Sequence, residues 1–188
     1  FLTGARVPND AVLGGVGGGW AAAMTTLANE RTFMGGHGGG PGLADLFGLA
    51  RRSGATAEPR VRQGLAAAHS RAQIMKYLGM QARTAAAKGR PPGPGTSALK
   101  LMAAQHRKRN ADLALAIEGA AGMLAAASAP EGGQWQQYFL SAPSIRIAGG
   151  SDEIQRNIMG ERVLGLPPEA RQDKHVPFRD VPTSADRG

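Results

Sequence analysis

Two long alanine-rich segments in the middle of the chain constrain its fold most. Residues 57–88 carry apolar side chains at alternating spacings of four and three residues, and the apolar side chains of residues 97–127 also fall on one face of a helix. They are Val61, Leu65, Ala68, Ala72 and Met75 in the first segment and Leu99, Met102, Ala103, Leu113 and Ile117 in the second. The intervening GRPPGPGT, residues 89–96, is rich in proline and glycine and suits a connection between antiparallel neighbours. The pattern therefore predicts a pair of long antiparallel helices.

Composition extends this prediction to the whole chain. The 188 residues are 42% hydrophobic but include only five Phe, two Trp and two Tyr, so alanine and leucine dominate and favour helices over strands. Further helices are predicted from near Gly19, over residues 43–52, over residues 134–140 and after Ser151. We predict an all-α, four-helix up-and-down bundle over residues 19–167. A short strand-like arm, residues 1–18, precedes it, and a disordered tail, residues 168–188, follows it.

Charge and residue usage exclude several functional classes. The net charge is +8, but the basic residues are scattered and are not interleaved with aromatic side chains, which argues against nucleic-acid binding. There is no cysteine, and the histidines at positions 37, 69, 106 and 175 share no metal-ligand spacing, so no metal site is expected. No apolar run reaches the roughly 18 residues of a membrane span. We expect a soluble, cytoplasmic protein whose positive charge suits an anionic ligand.

Two local patterns mark candidate functional positions. In the predicted first helix, Trp20, Met24 and Leu27 fall on one stripe, and Glu30 lies to one side of that stripe, so its side chain should be half-buried at an interface. Near the end of the chain, a glycine pair runs directly into Ser151, a good N-cap residue, followed by two acidic residues that favour the positive end of a helix dipole.

Three segments resemble acyl-CoA dehydrogenases. IAGGSDEIQRNIMGERVLGLP, residues 147–167, is similar to the family's C-terminal signature, whose turn passes over the flavin and the thioester. FLTGARVPNDAVLGGVGGGWAAAMTTLANERT, residues 1–32, resembles the family's last β-domain strand, the link after it and the first helix of the C-terminal domain. IEGAAGML, residues 117–124, resembles the family's glycine-rich segment in weakened form. The resemblance implies the fold of the C-terminal helical domain, and hence a C-terminal piece of a longer protein.

The resemblance also implies a reaction and a base for it. The family oxidises an acyl-CoA thioester between Cα and Cβ, with a carboxylate taking the α-proton and FAD accepting the β-hydrogen as hydride. The commonest family pattern has the glutamate base in the turn, where this chain has Gly149. A minority of members instead carry it on the first helix of this domain, immediately before an arginine, and Glu30-Arg31 matches that position. Glu30 is therefore the candidate base, and Arg31 and Gly149 are candidate substrate-binding residues.

Cofactor and partner expectations follow from the same resemblance. The implied FAD contacts are Arg52, with Arg51 as the alternative, together with Gly119, Gly122, Ser151 and Glu153. Helix ends and helix packing explain the arginines and the glycines nearly as well. The implied partners are an acyl-CoA substrate, an electron-transfer flavoprotein and further subunits in a homo- or hetero-oligomer, a dimer or tetramer, acting in fatty acid or lipid catabolism. The alternative is a non-catalytic structural subunit, or a truncated fragment, of a hetero-oligomeric dehydrogenase.

Overall fold

The computed structural model describes residues 1–34, 39–90, 95–168 and 176–181, and in these residues it contains six α-helices and no strand. The helices are α1 (Gly19–Met34), α2 (Leu43–Arg52), α3 (Pro59–Ala87), α4 (Gly95–Glu118), α5 (Gln134–Ile147) and α6 (Asp152–Arg162). The all-α prediction is confirmed. None of the helices among the described residues is long and apolar enough to cross a membrane.

Local sequence signals account for most of the helix ends. Helix α2 begins where Asp45 accepts a hydrogen bond from the Gly42 N–H, 2.7 Å away. Helix α3 has Pro59 in its first turn, where proline loses no hydrogen bond. Helix α4 ends at Glu118 and not near residue 127, because Gly119 takes φ +60° and starts a 3₁₀ turn. Helix α5 extends beyond the predicted residue 140 and continues through Pro143 to Ile147.

The long helices α3 and α4 pack antiparallel, as predicted. Gly64, early in α3, lies so close to Leu113, late in α4, that a Cβ on Gly64 would be 2.9 Å from a leucine methyl group. Leu78, late in α3, shares a small cavity with Leu99, early in α4. The pairing thus runs in opposite directions along the two helices.

The core lies where α2, α3, α4 and α5 meet. It consists of Leu46, Leu49, Ala50, Leu65, Ala68, Ala111, Ala114, Trp135 and Tyr138. The rings of Trp135 and Tyr138 meet edge to face, with centroids 5.9 Å apart. Fully buried alanines on α3 and α4 let these helices approach closely, and the few large side chains fill the space beside them.

The two ends of the chain differ from the prediction. The short strand expected in the arm, residues 1–18, is not formed: the arm contains a 3₁₀ turn, Asn9–Ala11, and its side chains are exposed. The stripe predicted on α1 is only partly covered, because Trp20 is 76% exposed. In the predicted disordered tail, Phe178–Asp180 form a 3₁₀ turn, while residues 169–175 and 182–188 lie outside the described residues. The domain boundaries themselves remain predictions.

The close α3–α4 contact gives a stability prediction. Ala68 is fully buried, whereas Ala66, on the same helix, is exposed. Alanine and leucine have similar helix propensities, so a difference between leucine substitutions at these two positions reports packing alone. Ala68→Leu should destabilise the protein by about 1–3 kcal/mol because the larger side chain overpacks the core. Ala66→Leu should change the free energy of unfolding by less than about 0.5 kcal/mol. Urea unfolding followed by far-UV circular dichroism measures both. Equal effects of the two substitutions would contradict the packing described here.

A partly buried histidine makes stability depend on pH. His106 on α4 lies 2.9 Å from the Asn110 amide nitrogen, and burial together with the nearby charge of Arg71 lowers its pKa from 6.5 to about 4. Between these two values the unfolded chain binds more protons than the folded one, so the free energy of unfolding falls as the pH drops through this window. His106→Gln should flatten that pH dependence, and His69→Gln, at an exposed position, should not. Urea midpoints measured from pH 7 to pH 4 test this, and the same slope for His106→Gln and the parent would rule it out.

Candidate functional site

The turn between α5 and α6 is built around two glycines in the left-handed region. Gly149 has φ +67° and Gly150 has φ +97°, values that residues with a Cβ rarely adopt. On the N-terminal side, the Ala148 N–H donates to the Ser144 carbonyl at 2.9 Å and closes α5. On the C-terminal side, the Ser151 hydroxyl accepts a hydrogen bond from the Ile154 N–H at 3.4 Å, which confirms Ser151 as the N-cap of α6.

Buried side chains hold this turn in place. Gln155, with no exposed surface, donates from Nε2 to the Gly149 carbonyl at 3.0 Å, and the Lys100 ammonium on α4 donates to the Gly150 carbonyl. Asp152 is 1% exposed and accepts from Arg146 at 2.7 Å. Sequence reasoning missed these contacts, because apolar periodicity gives no reason to bury a lysine or a glutamine. The one available signal was the lysine at position 100, which the apolar pattern of α4 does not explain.

A cavity of about 230 Å³ opens beside the turn. It is lined by Pro143, Arg146, Ile147, Ser151, Asp152 and Glu153. Hydrogen bonds from its own backbone N–H and from the Ser151 hydroxyl, with smaller contributions from Arg156 and Arg146, lower the pKa of Glu153. The cavity therefore combines an apolar wall with a hydroxyl and an ionised carboxylate, and Ser151 and Glu153 come together next to Gly149.

Arg52 lies in a second cluster, at the C-terminal end of α2. Its guanidinium forms an ion pair with Glu131, and its side chain is still 60% exposed. Glu131 also accepts from the Gln134 amide and, at 3.3 Å, from the Trp135 indole N–H. The alternative residue, Arg51, has its guanidinium 6.0 Å from the centre of the Phe47 ring. Arg52 is thus held in place by a residue 79 positions away in the sequence.

The glycine-rich segment lies near this second cluster. Gly119 has φ +60° with open space where a Cβ would be, whereas a Cβ on Gly122 would be 3.0 Å from the Leu115 carbonyl oxygen. Gln136 donates to Glu118 at 2.7 Å, and burial is the main cause of the raised pKa of Glu118. The structure therefore associates Arg52, Gly119 and Gly122 through residues 131–136. Close backbone packing alone explains Gly122.

Glu30 lies near the end of α1 and is half-buried, as expected. Both α1 and α6 pack against α4, so α4 is the common neighbour of the helix that carries Glu30 and the helix that follows the turn. The side chain of Arg31 lies outside the described residues.

Comparison with known sequences identifies the family. Residues 17–164 match the sequence family "Acyl-CoA dehydrogenase, C-terminal domain". The chain belongs to the acyl-CoA dehydrogenase family. It is 36% identical over 176 residues to acyl-CoA dehydrogenase IpdE1 of Mycobacterium tuberculosis, a match that covers 91% of this chain and 44% of that protein. The IpdE1 of Mycolicibacterium smegmatis is 34% identical over 180 residues, with 91% of this chain and 43% of that protein covered.

Solved structures agree with this assignment. The structure described as "Tcur3481-Tcur3483 steroid ACAD" superposes with a TM-score of 0.78 at 26% identity, covering 90% of this chain and 45% of the other. The ChsE4-ChsE5 complex from Mycobacterium tuberculosis shares the fold, with a TM-score of 0.60 at 23% identity over 81% of this chain and 41% of the other. The chain therefore spans less than half of the length of each of these relatives.

The turn geometry gives a prediction for Gly150. Alanine at Gly150, where φ is +97°, and alanine at Gly165, where φ is +68°, each face a left-handed backbone penalty of about 1–2 kcal/mol. At Gly150, however, the new Cβ would also lie 2.6 Å from Nε2 of the buried Gln155, whereas nothing lies within 4 Å at Gly165. Gly150→Ala should therefore cost about 1–3 kcal/mol more than Gly165→Ala. Thermal and urea unfolding measure the difference, and two equal losses would mean that Gln155 does not clamp the turn.

Proposed function

We propose that this chain is the C-terminal part of an FAD-dependent acyl-CoA dehydrogenase that carries the catalytic base on α1. The observation that carries the proposal is the glycine turn after α5. Its two carbonyls are bound by buried side chains, and its first glycine stands where the commonest family pattern has the base. Glu30, directly before an arginine on α1, matches the alternative position of that base.

The residues at the turn suit a flavin. An exposed Ile147 offers an apolar wall for a planar ring system, and Ser151 and Glu153 offer polar groups at the edge of the same cavity. These residues would hold the ring end of FAD, which when bound accepts the β-hydrogen of the substrate as hydride. Arg52, Gly119 and Gly122 would lie toward the phosphates and the adenosine. Because the Arg52 guanidinium is paired with Glu131, it would bind a phosphate only if it contacts both groups at once or breaks the ion pair.

Glu30, Gly149 and Arg31 have different roles in the proposed reaction. Glu30 takes the α-proton of the acyl-CoA, and the Gly149 N–H donates to the thioester oxygen, where negative charge develops as that proton leaves. Arg31 helps to hold the substrate next to the base. The product is the α,β-unsaturated thioester, with the proton left on Glu30; the bound cofactor would supply the hydride acceptor. Since Gly149 has no side chain, no carboxylate projects from position 149 toward the acyl group.

The relatives suggest the substrate class and the partners. One structural relative is described as a "steroid ACAD", and the missing side chain at Gly149 favours a bulky acyl group. We propose a polycyclic or branched acyl-CoA as substrate, within lipid catabolism in the cytoplasm. An electron-transfer flavoprotein would reoxidise the cofactor. Two structural relatives carry the names of two chains each, Tcur3481-Tcur3483 and the ChsE4-ChsE5 complex. These names support assembly of this chain with a second subunit, as a dimer or tetramer.

A non-catalytic role in such an assembly is the second candidate. The exposed apolar side chains of the arm, among them Leu2, Val7, Leu13 and Val16, favour a surface that another domain or subunit covers. The gene sequence upstream of Phe1 separates the two candidates. About 200 codons of helical and β-domain sequence in the same reading frame support the enzyme, and a start codon close to Phe1 supports the structural subunit.

Replacement of Glu30 tests the enzyme proposal. In the full-length protein with its partners, Glu30→Gln should retain FAD, because the change is isosteric and Glu30 is not among the proposed cofactor contacts. Reduction of the flavin by acyl-CoA should fall by at least about 10² to 10⁴, as expected for a lost general base. Glu161→Gln, at an exposed position on α6, is the control and should keep the parent rate. Stopped-flow absorbance measures the step, and a parent-like rate for Glu30→Gln would favour the non-catalytic role.

A further inference from the structure

Lys100 is a buried lysine whose ammonium is directed at the glycine turn. Its side chain is 5% exposed, and it reaches from the first turns of α4 to the carbonyl of Gly150, 50 residues away in the sequence. Burying an ammonium group is costly, and a methionine would fill a similar volume without that cost. A lysine at this position therefore indicates that its hydrogen bond matters beyond helix packing.

The pattern of hydrogen bonds around the turn fixes one particular peptide group. The Ala148 N–H is bound to Ser144, so the peptide before Ala148 is held by α5. Gln155 holds the carbonyl of Gly149 and approaches that of Gly150 at 3.4 Å, and Lys100 holds the carbonyl of Gly150. The peptide that carries the Gly149 N–H lies between these fixed groups. The contacts that Lys100 and Gln155 make therefore contribute to its direction.

The contact also joins two parts of the proposed site. Lys100 belongs to α4, and α4 packs against α1, the helix that carries Glu30. Gln155 belongs to α6 and holds the turn only from its own side. Of the two, Lys100 is thus the residue that ties the turn to the helix against which the proposed base is placed.

We propose that Lys100 is a positioning residue for the reaction. It orients the Gly149 N–H toward the thioester oxygen and fixes the separation between that N–H and Glu30, with Gln155 completing the clamp. The proposal rests on the proposed function. The thioester oxygen gains negative charge as the α-proton leaves, and the Gly149 N–H stabilises that charge only if it already points at the oxygen. A loosened turn should therefore slow proton removal more than it weakens substrate binding.

Lys100→Met in the full-length protein with its partners tests this, with Lys108→Met as the control. Lys108 lies on the same helix but is partly exposed and pairs with Asp112. Hydrogen exchange of peptides covering residues 148–156, measured without substrate, should speed up at least about 10-fold in Lys100→Met and not in Lys108→Met. Flavin reduction at saturating acyl-CoA should fall by about 10²-fold with little change in KM and with FAD still bound. Lys100→Arg, which keeps a charged donor, should recover part of the rate.

Each outcome decides the proposal. Parent-like exchange in Lys100→Met means that the lysine does not clamp the turn. Faster exchange with a parent-like reduction rate means that the turn does not position the thioester, and either result overturns the proposal. Failure of the proposed function is recognised separately, because Glu30→Gln would then keep the parent rate. If Lys100→Met does not fold by circular dichroism, Gln155→Met, which removes the other clamp, is measured in the same way and must give the same two effects.

Discussion

The close packing of α4 against five other helices organises the described part of the fold. Helix α4 contacts α1, α2, α3, α5 and α6, and it does so with small side chains: Ala104, Ala111 and Ala114 are fully buried. Because these alanines let neighbouring backbones approach, α4 can pack against the other helices although it carries no Phe, Tyr or Trp of its own. The same helix contributes Lys100 to the glycine turn, so the core and the candidate site share one element.

The sequence predicted the helices better than their buried faces. The bounds of α2, the start of α1 and the Ser151 N-cap agree with the structure, because capping residues and apolar spacing are local signals. The end of α4 was wrong, since the alanines after Gly119 favour a helix while the glycine itself takes a left-handed conformation that ends it. The arm did not form a strand, because no neighbouring strand is present among the described residues to pair with it.

The sequence predicted those site residues that are neighbours along the chain, but not the distant residues that hold them in place. Gly149, Ser151 and Glu153 are neighbours in sequence, and the structure keeps them together around one cavity. Lys100 and Gln155 were missed because their partners are backbone carbonyls in a turn, which no side-chain pattern reveals. Arg52 was proposed without its partner Glu131, because an ion pair across 79 residues depends on the packing of α2 against the start of α5.

In the proposed site, Glu30 and the Gly149 N–H act on the same thioester. A crystal structure of the full-length protein with FAD and a non-reactive acyl-CoA analogue would show both contacts at once. The Gly149 nitrogen should lie about 3 Å from the thioester oxygen, and the Glu30 carboxylate about 3–3.5 Å from the α-carbon. A thioester bound away from the α5–α6 turn, or a Glu30 carboxylate turned away from the α-carbon, would contradict it.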